Sequence, residues 1–193
     1  MKPSTGFDES THTYYISGRQ VPHVTQVLAD LLPQWGASEW HMTRGRAVHM
    51  CAALIARGQQ FEHDPRIAGQ VEAVRRFLRE VKPEIIAVEQ HVYSTMYHYA
   101  GTLDLLAGIQ RREVVIDYKA SLTPSTIYQL AAYALTLDDV NWGMGVEIHE
   151  DGSYRCSELL SLKRAKQEWL ALLTAHNIRV RLGYTNKEDK DHE

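Results

Sequence analysis

Cysteine is scarce: Cys51 and Cys156 stand far apart, with no metal-ligand spacing around either. A disulfide framework and a zinc module are therefore excluded, and both read as buried free thiols. No apolar run approaches the length that spans a bilayer, and no charged-then-apolar leader opens the chain. The expectation is a cytoplasmic protein of a bacterial or phage-infected host cell, with no membrane partner. Basic excess is missing as well. Lys and Arg number 21 against 24 Asp and Glu, for a formal charge of −3. A general nucleic-acid coat is thus excluded, and any polyanion has to be held by a local patch. There is no Gly-x-x-x-x-Gly-Lys-Ser/Thr phosphate loop, no internal repeat and no low-complexity segment.

What is present has globular proportions, with 44% hydrophobic and 23% charged residues over 193 positions. That length serves one well-packed core and has no room for two without a visible linker. We expect a single domain over residues 1–186 and a flexible charged tail over 187–193. Arginines cluster locally at Arg44 and Arg46, at Arg75, Arg76 and Arg79, at Arg111 and Arg112, and at Arg179 and Arg181. Most of these read as solvated helix faces.

Thr11 to Ile16 and Arg19 to Pro22 flank a Ser17-Gly18 turn and predict a hairpin. Thr25 has the chemistry of an N-cap for a short helix ending near Leu32 and Pro33. Helical spacing of apolar residues runs from Trp40 to Gly58 with His49 at its centre, and again from Ile67 to Val81, where Pro83 stops it. Three segments rich in β-branched and aromatic residues follow: Ile85 to Tyr99, Gly101 to Ile109 and Glu113 to Ser121. They predict consecutive antiparallel strands. A helix from Pro124 to Leu137, a hairpin of Trp142 to Ile148 with Tyr154 to Leu159, and a helix from Leu162 to Leu182 complete the chain. The class is α/β or α+β, a mixed sheet with helices packed against it.

If the second and third of those strands turn about Gln110 and Arg111, the numbers of facing residues add to 221. Asp104 and Asp117 then lie across from each other on one face. Opposed like charges destabilise a sheet, so something cationic belongs between them, and a divalent metal is the simplest candidate. Lys119, two residues past Asp117, projects from the same face, where an ammonium can orient or deprotonate a water and stabilise charge on a phosphate. Asp-x-Lys alone is a common and weak pattern. Further residues give it a context. Gln129 and Tyr133 share a helical face directly after that strand and suit phosphate binding or support of Lys119. His49 sits in an apolar helix with Gly45 and Arg46 one turn earlier, and Glu89 stands in the first strand either as a third acidic group near the metal or as a structural residue.

Taken together, Arg46-Ala47-Val48-His49, Val88-Glu89, Gly101-Thr102-Leu103-Asp104-Leu105-Leu106, Val115-Ile116-Asp117-Tyr118-Lys119 and Gln129-Leu130-Ala131-Ala132-Tyr133 resemble the ordered motifs of the RecB-like branch of the PD-(D/E)XK nucleases. The likeness spans positions 44 to 134. Tyr14-Tyr15-Ile16-Ser17-Gly18 and Val21-Pro22-His23-Val24-Thr25 also resemble the opening of small phage and prophage members, with His23 where serine is more usual. The resemblance implies a restriction-endonuclease-like core. It implies Mg²⁺ or Mn²⁺, one or two ions, held by His49, Asp104, Asp117 and the main-chain carbonyl of Tyr118, with Glu89 as a further ligand. Lys119 then works on the water, and Gln129 and Tyr133 support catalysis. Arg44, Arg46, Gln129 and Tyr133 contact DNA, and a recombinase, annealing or single-strand-binding protein is the expected protein partner. Relatives with an iron-sulfur cluster clip the fold with four cysteines, which two cannot do, so no cluster is expected. The implied activity is a DNA exonuclease of phage or prophage recombination, repair or processing. A structure-selective or nicking endonuclease and a catalytically silent DNA-binding module stay open.

Overall fold

In the computed structural model, which describes residues 3–32 and 39–184, the opening stretch forms three antiparallel strands. These are β1 (Thr5–Asp8), β2 (Thr13–Ile16) and β3 (Arg19–Val21). The β2–β3 turn falls at Ser17-Gly18, both with positive φ, the backbone that matches the twist of a two-residue hairpin. β1 is additional, since Thr5-Gly6-Phe7-Asp8 lacks the composition of a strand and acquires one only by pairing with β2. Helix α1 (Val24–Leu31) follows, and its N-cap is His23, not Thr25. The imidazole accepts the Gln26 N–H and the Gln26 side chain takes the His23 N–H, a capping box that displaces the simpler threonine cap. Pro33, the expected end of the first helix, lies outside the described residues, as do the tail at 187–193 and the expected domain end at 186.

Helix α2 (Glu39–Ala56) carries His49. A short 3-10 turn at Pro65–Ile67 leads into α3 (Ala68–Val81), which stops as Lys82 turns left-handed ahead of Pro83. Then come β4 (Glu84–Ser94), β5 (Tyr99–Ile109) and β6 (Arg112–Lys119), antiparallel neighbours as expected. Helix α4 (Thr126–Leu135) crosses over to β7 (Trp142–Ile148), which lies parallel to β6. The last hairpin strand divides in two. β8 (Tyr154–Cys156) pairs with the end of β7 and β9 (Leu160–Ser161) with its start. Helix α5 (Lys163–Arg181) follows.

The main sheet runs β4-β5-β6-β7-β8, with β9 also on β7, and is mixed because the β6–β7 pair alone is parallel. Strand alternation divides its core. Val115 faces one cluster with α1, α4 and α5, while Val114, Ile116 and Tyr118 face another with α2 and α3. The expected α/β class, a mixed central sheet flanked by helices, is the observed one. The small sheet docks on the start of β5 by a parallel bridge between His23 and Ala100, with the Ala100 N–H donating to Pro22 O. Gly69 brings α3 onto the β7–β8 turn so closely that a Cβ there would stand 1.7 Å from the Glu150 carbonyl oxygen. Among the described residues no helix is long and apolar enough to cross a membrane.

Candidate active site

Register decides where the carboxylates fall. Leu105 pairs with Ile116 and Ile109 with Arg112, so facing numbers add to 221 as expected. The described pairing ends at Leu105 and Ile116. One step further, Asp104 uses its side chain instead: Oδ2 accepts the Tyr118 N–H at 2.8 Å. Beyond that point β6 pairs with β7 alone, through Lys119 opposite Glu147. On the other side of β5, the ladder with β4 pairs Val88 with Leu105 and Gln90 with Leu103, passing over Glu89 and Asp104 between them. Glu89 has a left-handed φ of 49°, uncommon for a residue with a Cβ.

These breaks gather the polar groups. His49 Nδ1 lies 3.0 Å from Asp104 Oδ1, and Lys119 Nζ lies 2.9 Å from Asp117 Oδ2. Gln129 donates from Nε2 to Asp117 Oδ1 at 2.8 Å and to Tyr133 Oη at 3.2 Å. The Tyr133 ring packs on Gly101, where a Cβ would stand 2.7 Å from its Cε1. Small residues on α4 (Ala131, Ala132, Ala134) bring that helix down onto β6 and β7. The predicted set His49, Glu89, Asp104, Lys119, Gln129 and Tyr133 thus opens on one cleft of about 750 Å³, and Asp117 is buried beneath it, 1% exposed.

The charges of the cluster oppose one another. Asp104's charge holds His49 up at about 9 against its burial. Burial alone would raise Asp104, but the charge and hydrogen bond of His49, together with Lys119 and the Tyr118 N–H, outweigh it and the carboxyl ends below its usual range. Asp117 goes the other way, since its burial exceeds the help it draws from Lys119. Burial also lifts Glu89 to about 7, with the Asp104 charge adding to the effect. Lys119 remains above the ordinary lysine value because Asp117 and Asp104 overcome its burial. Burial and the same two carboxylates raise Tyr133, which stays a neutral phenol.

His49, Glu89 and Asp104 offer ligand atoms that all lie within 4.8 Å of one another. One imidazole and two carboxylates are a donor set that fits a hard or borderline divalent cation such as Mg²⁺ or Mn²⁺. Asp117 is outside this trio, its carboxylate held by Lys119 and Gln129. The Tyr118 backbone meets Asp104 through its N–H. Glu89, a candidate ligand already in the sequence, joins His49 and Asp104 from a left-handed turn of β4.

The two arginines part company. Arg46 is exposed and lines the cleft. Arg44 pairs with Glu150 and lines a second cavity of about 230 Å³, behind Lys119, where Gln70 Oε1 and Tyr118 Oη are buried without hydrogen-bond partners among the described residues. Several other arginines are engaged within the fold: Arg76 with Glu80, Arg79 with Glu72, Arg179 with Asp30, and Arg112 over the Trp142 ring. Sequence reasoning missed Arg57, which lines the cleft and donates to Val88 O at 3.0 Å. Its place eight residues after His49, just past the end of α2, was the available signal.

No protein-family model and no curated protein matches the sequence. The fold does have a solved counterpart. The crystal structure of LHK-Exo in complex with dAMP superposes with a TM-score of 0.50 at 13% identity, over 85% of this chain and 89% of that one. A second structure, of the alkaline exonuclease LHK-Exo from Laribacter hongkongensis, gives a TM-score of 0.47 at 14% identity, over 84% and 88%. At that identity the likeness is one of fold.

Proposed function

We propose that the chain is a metal-dependent DNA exonuclease of the RecB-like PD-(D/E)XK type, acting in phage or prophage DNA recombination, repair or processing. The observation that carries the reading is the convergence in one cleft of His49, Glu89 and Asp104 with an Asp117–Lys119 ion pair braced by Gln129, on a fold shared with an exonuclease. In this reading His49, Glu89, Asp104 and Asp117, with the Tyr118 carbonyl, hold Mg²⁺ or Mn²⁺. Bound there, the cation would supply electrophilic activation of the scissile phosphate and positive charge to offset the negative charge developing on its oxygens.

The chain's own groups do the rest. Asp117 fixes the Lys119 ammonium at the cleft floor by one N–H, and the two that remain orient the attacking water and meet a non-bridging phosphate oxygen. Because both carboxylates keep Lys119 protonated, its part is to donate from Nζ. Gln129 holds Asp117 on the side away from Lys119, and the neutral Tyr133 hydroxyl braces the Gln129 amide. Arg46 on α2 and Arg57 just past its end supply positive charge to the cleft, the local patch that a chain of net charge −3 needs for DNA.

End-labelled linear DNA and a closed circle of the same sequence, incubated with Mg²⁺, test this directly. The linear molecule is shortened from an end and the circle persists. Cutting of the circle overturns the exonuclease reading in favour of an endonuclease. Digestion by Asp117→Ala at the parent rate overturns the site.

A further inference from the structure

Beside the reactive centre, five rings from separate parts of the chain lean on one another. Phe7 of β1 lies 4.3 Å from His91 of β4, 4.7 Å from Tyr14 of β2 and 5.2 Å from His12, centroid to centroid. His12 lies 5.5 Å from the α1 cap His23, edge to face. Thr102 ties the group to the main sheet: its hydroxyl is 2.7 Å from Tyr14 Oη and 2.8 Å from His91 Nδ1. Thr102 and Asp104 share a face of β5, about 7 Å apart along the strand. His12, Tyr14, His23 and Thr102 line the same cleft as His49 and Asp104.

The apolar core of the small sheet, Tyr14 with Ile16, Val21 and Ala100, accounts for the tyrosine but not for the imidazoles. His12 and His91 are exposed, and His12 sits at a left-handed φ of 52° that turns it onto the ring cluster. These imidazoles are no metal centre. Among the described residues the group of ligand atoms close enough for an ion is His49, Glu89 and Asp104. What does match a wall of flat rings along a nucleic-acid cleft is a nucleobase. Every base has a π-face, and stacking on protein rings is the usual way an unpaired base is held. Partial desolvation, with His91 and Arg46 nearby, holds His12 below the ordinary histidine range, so it presents a neutral ring.

We propose that the His12 and His23 rings, backed by Phe7, Tyr14 and His91, form a shelf that binds the unpaired base of a nucleotide flanking the scissile phosphate, making single-stranded or frayed DNA the substrate. The proposal rests on the nuclease reading above and adds the strand form and the base contact. A duplex holds its bases in the stack and cannot offer one to the shelf without unpairing it.

The test compares the parent with His12→Ala, an exposed position outside the catalytic group. Fluorescence anisotropy in Ca²⁺ measures binding to a single-stranded oligonucleotide, and to a set in which one abasic nucleotide is walked along the strand. On the intact strand the variant binds about 5- to 150-fold more weakly. At one abasic position the parent weakens by a similar factor and the two proteins become equal. His12→Trp, which restores a flat ring, retains parental binding, and all binding is measured at a temperature where circular dichroism shows both variants folded. An equal parent-to-variant ratio at every abasic position, no loss at all, or tighter binding of blunt duplex than of single strands overturns the shelf while leaving the nuclease standing. A parent that binds no DNA of either form overturns both.

Discussion

Gln129→Leu isolates the contact that joins the helix α4 motif to the carboxylate pair. The side chains have similar volumes, so the change removes a donor without opening a large cavity. Gln129 is 8% exposed and its Nε2 lies 2.8 Å from Asp117 Oδ1. Asp117 keeps Lys119 at 2.9 Å on its other oxygen, so it loses one of two partners rather than becoming an unpaired buried charge. That places the loss near the range for a hydrogen bond to a charged group, about 1.5–3 kcal/mol, and below the about 3–5 kcal/mol of breaking a buried ion pair. For a domain of this length each kcal/mol moves the melting temperature by about 2–4 °C, so a drop of roughly 3–12 °C follows. Urea unfolding followed by tryptophan fluorescence gives the stability, and a cycle with Asp117→Asn gives the coupling. Digestion well below both melting temperatures then falls in kcat, since the folded fraction is unchanged. A stability loss under about 0.5 kcal/mol, with a coupling energy indistinguishable from zero, refutes the reasoning.

At the seat of Tyr133, Gly101→Ala places a Cβ 2.7 Å from the ring of a buried residue, so it destabilises by about 1–3 kcal/mol and slows digestion, read by denaturation and end-label release. Arg46→Ala weakens DNA binding with unchanged stability and lowers the slope of log affinity against log salt by about 1. Arg44→Ala leaves that slope in place and lowers stability by at most about 1 kcal/mol, because it parts from Glu150 and not from DNA. Glu89→Gly is more stable than Glu89→Ala by about 1 kcal/mol, since glycine alone relieves the left-handed backbone, and both lose Mn²⁺ affinity in calorimetry. Burial alone would raise Asp30, but hydrogen bonds from Arg179 at 3.0 Å and His176 at 3.1 Å outweigh it and hold the carboxyl below its usual range. A depressed carboxylate stabilises fully above its unfolded value and loses this as pH falls through its folded value. The stability difference between parent and Asp30→Asn is therefore flat above about pH 5 and shrinks below it in urea midpoints.

The register that aligns Asp104 with Asp117 was legible because a two-residue turn sets it. Gln110 and Arg111 both take positive φ, the geometry of a tight hairpin, and every pair from Ile109–Arg112 to Leu105–Ile116 follows. The ordered motifs also marked His49, Gln129 and Tyr133, which the fold brings to one cleft. What was not legible depends on contacts distant in sequence. Arg44 is an expected DNA contact, and the partner the fold also gives it, Glu150, stands 106 residues away on a turn that Gly69 admits. The His23 cap outcompetes Thr25 through a histidine ring, a cap chemistry that residue preference does not rank highly. The ring shelf draws on β1, β2, β4 and the α1 cap, so no window of sequence contains it; its trace was a content of ten histidines with few assigned.

The site lies where the sheet comes apart. β6 pairs antiparallel with β5 up to Ile116 and parallel with β7 up to Lys119, so its last residues are held from one side only. The N–H left free at Tyr118 is the one Asp104 accepts. On the far side of β5, the left-handed turn at Glu89 interrupts the β4 ladder opposite the same aspartate. An uninterrupted ladder would pair these backbones and hold Asp104 at strand spacing from its neighbours, with alternation assigning Glu89 by register alone. Two interruptions flanking one residue instead create a gap into which Glu89 and Asp104 turn from the sheet and His49 descends from α2. Left-handed backbone at a residue with a Cβ and buried like charges are both destabilising, by about 1–3 kcal/mol for the backbone alone. Their coincidence at one point of the sheet is the pattern of a fold shaped there by chemistry rather than by packing.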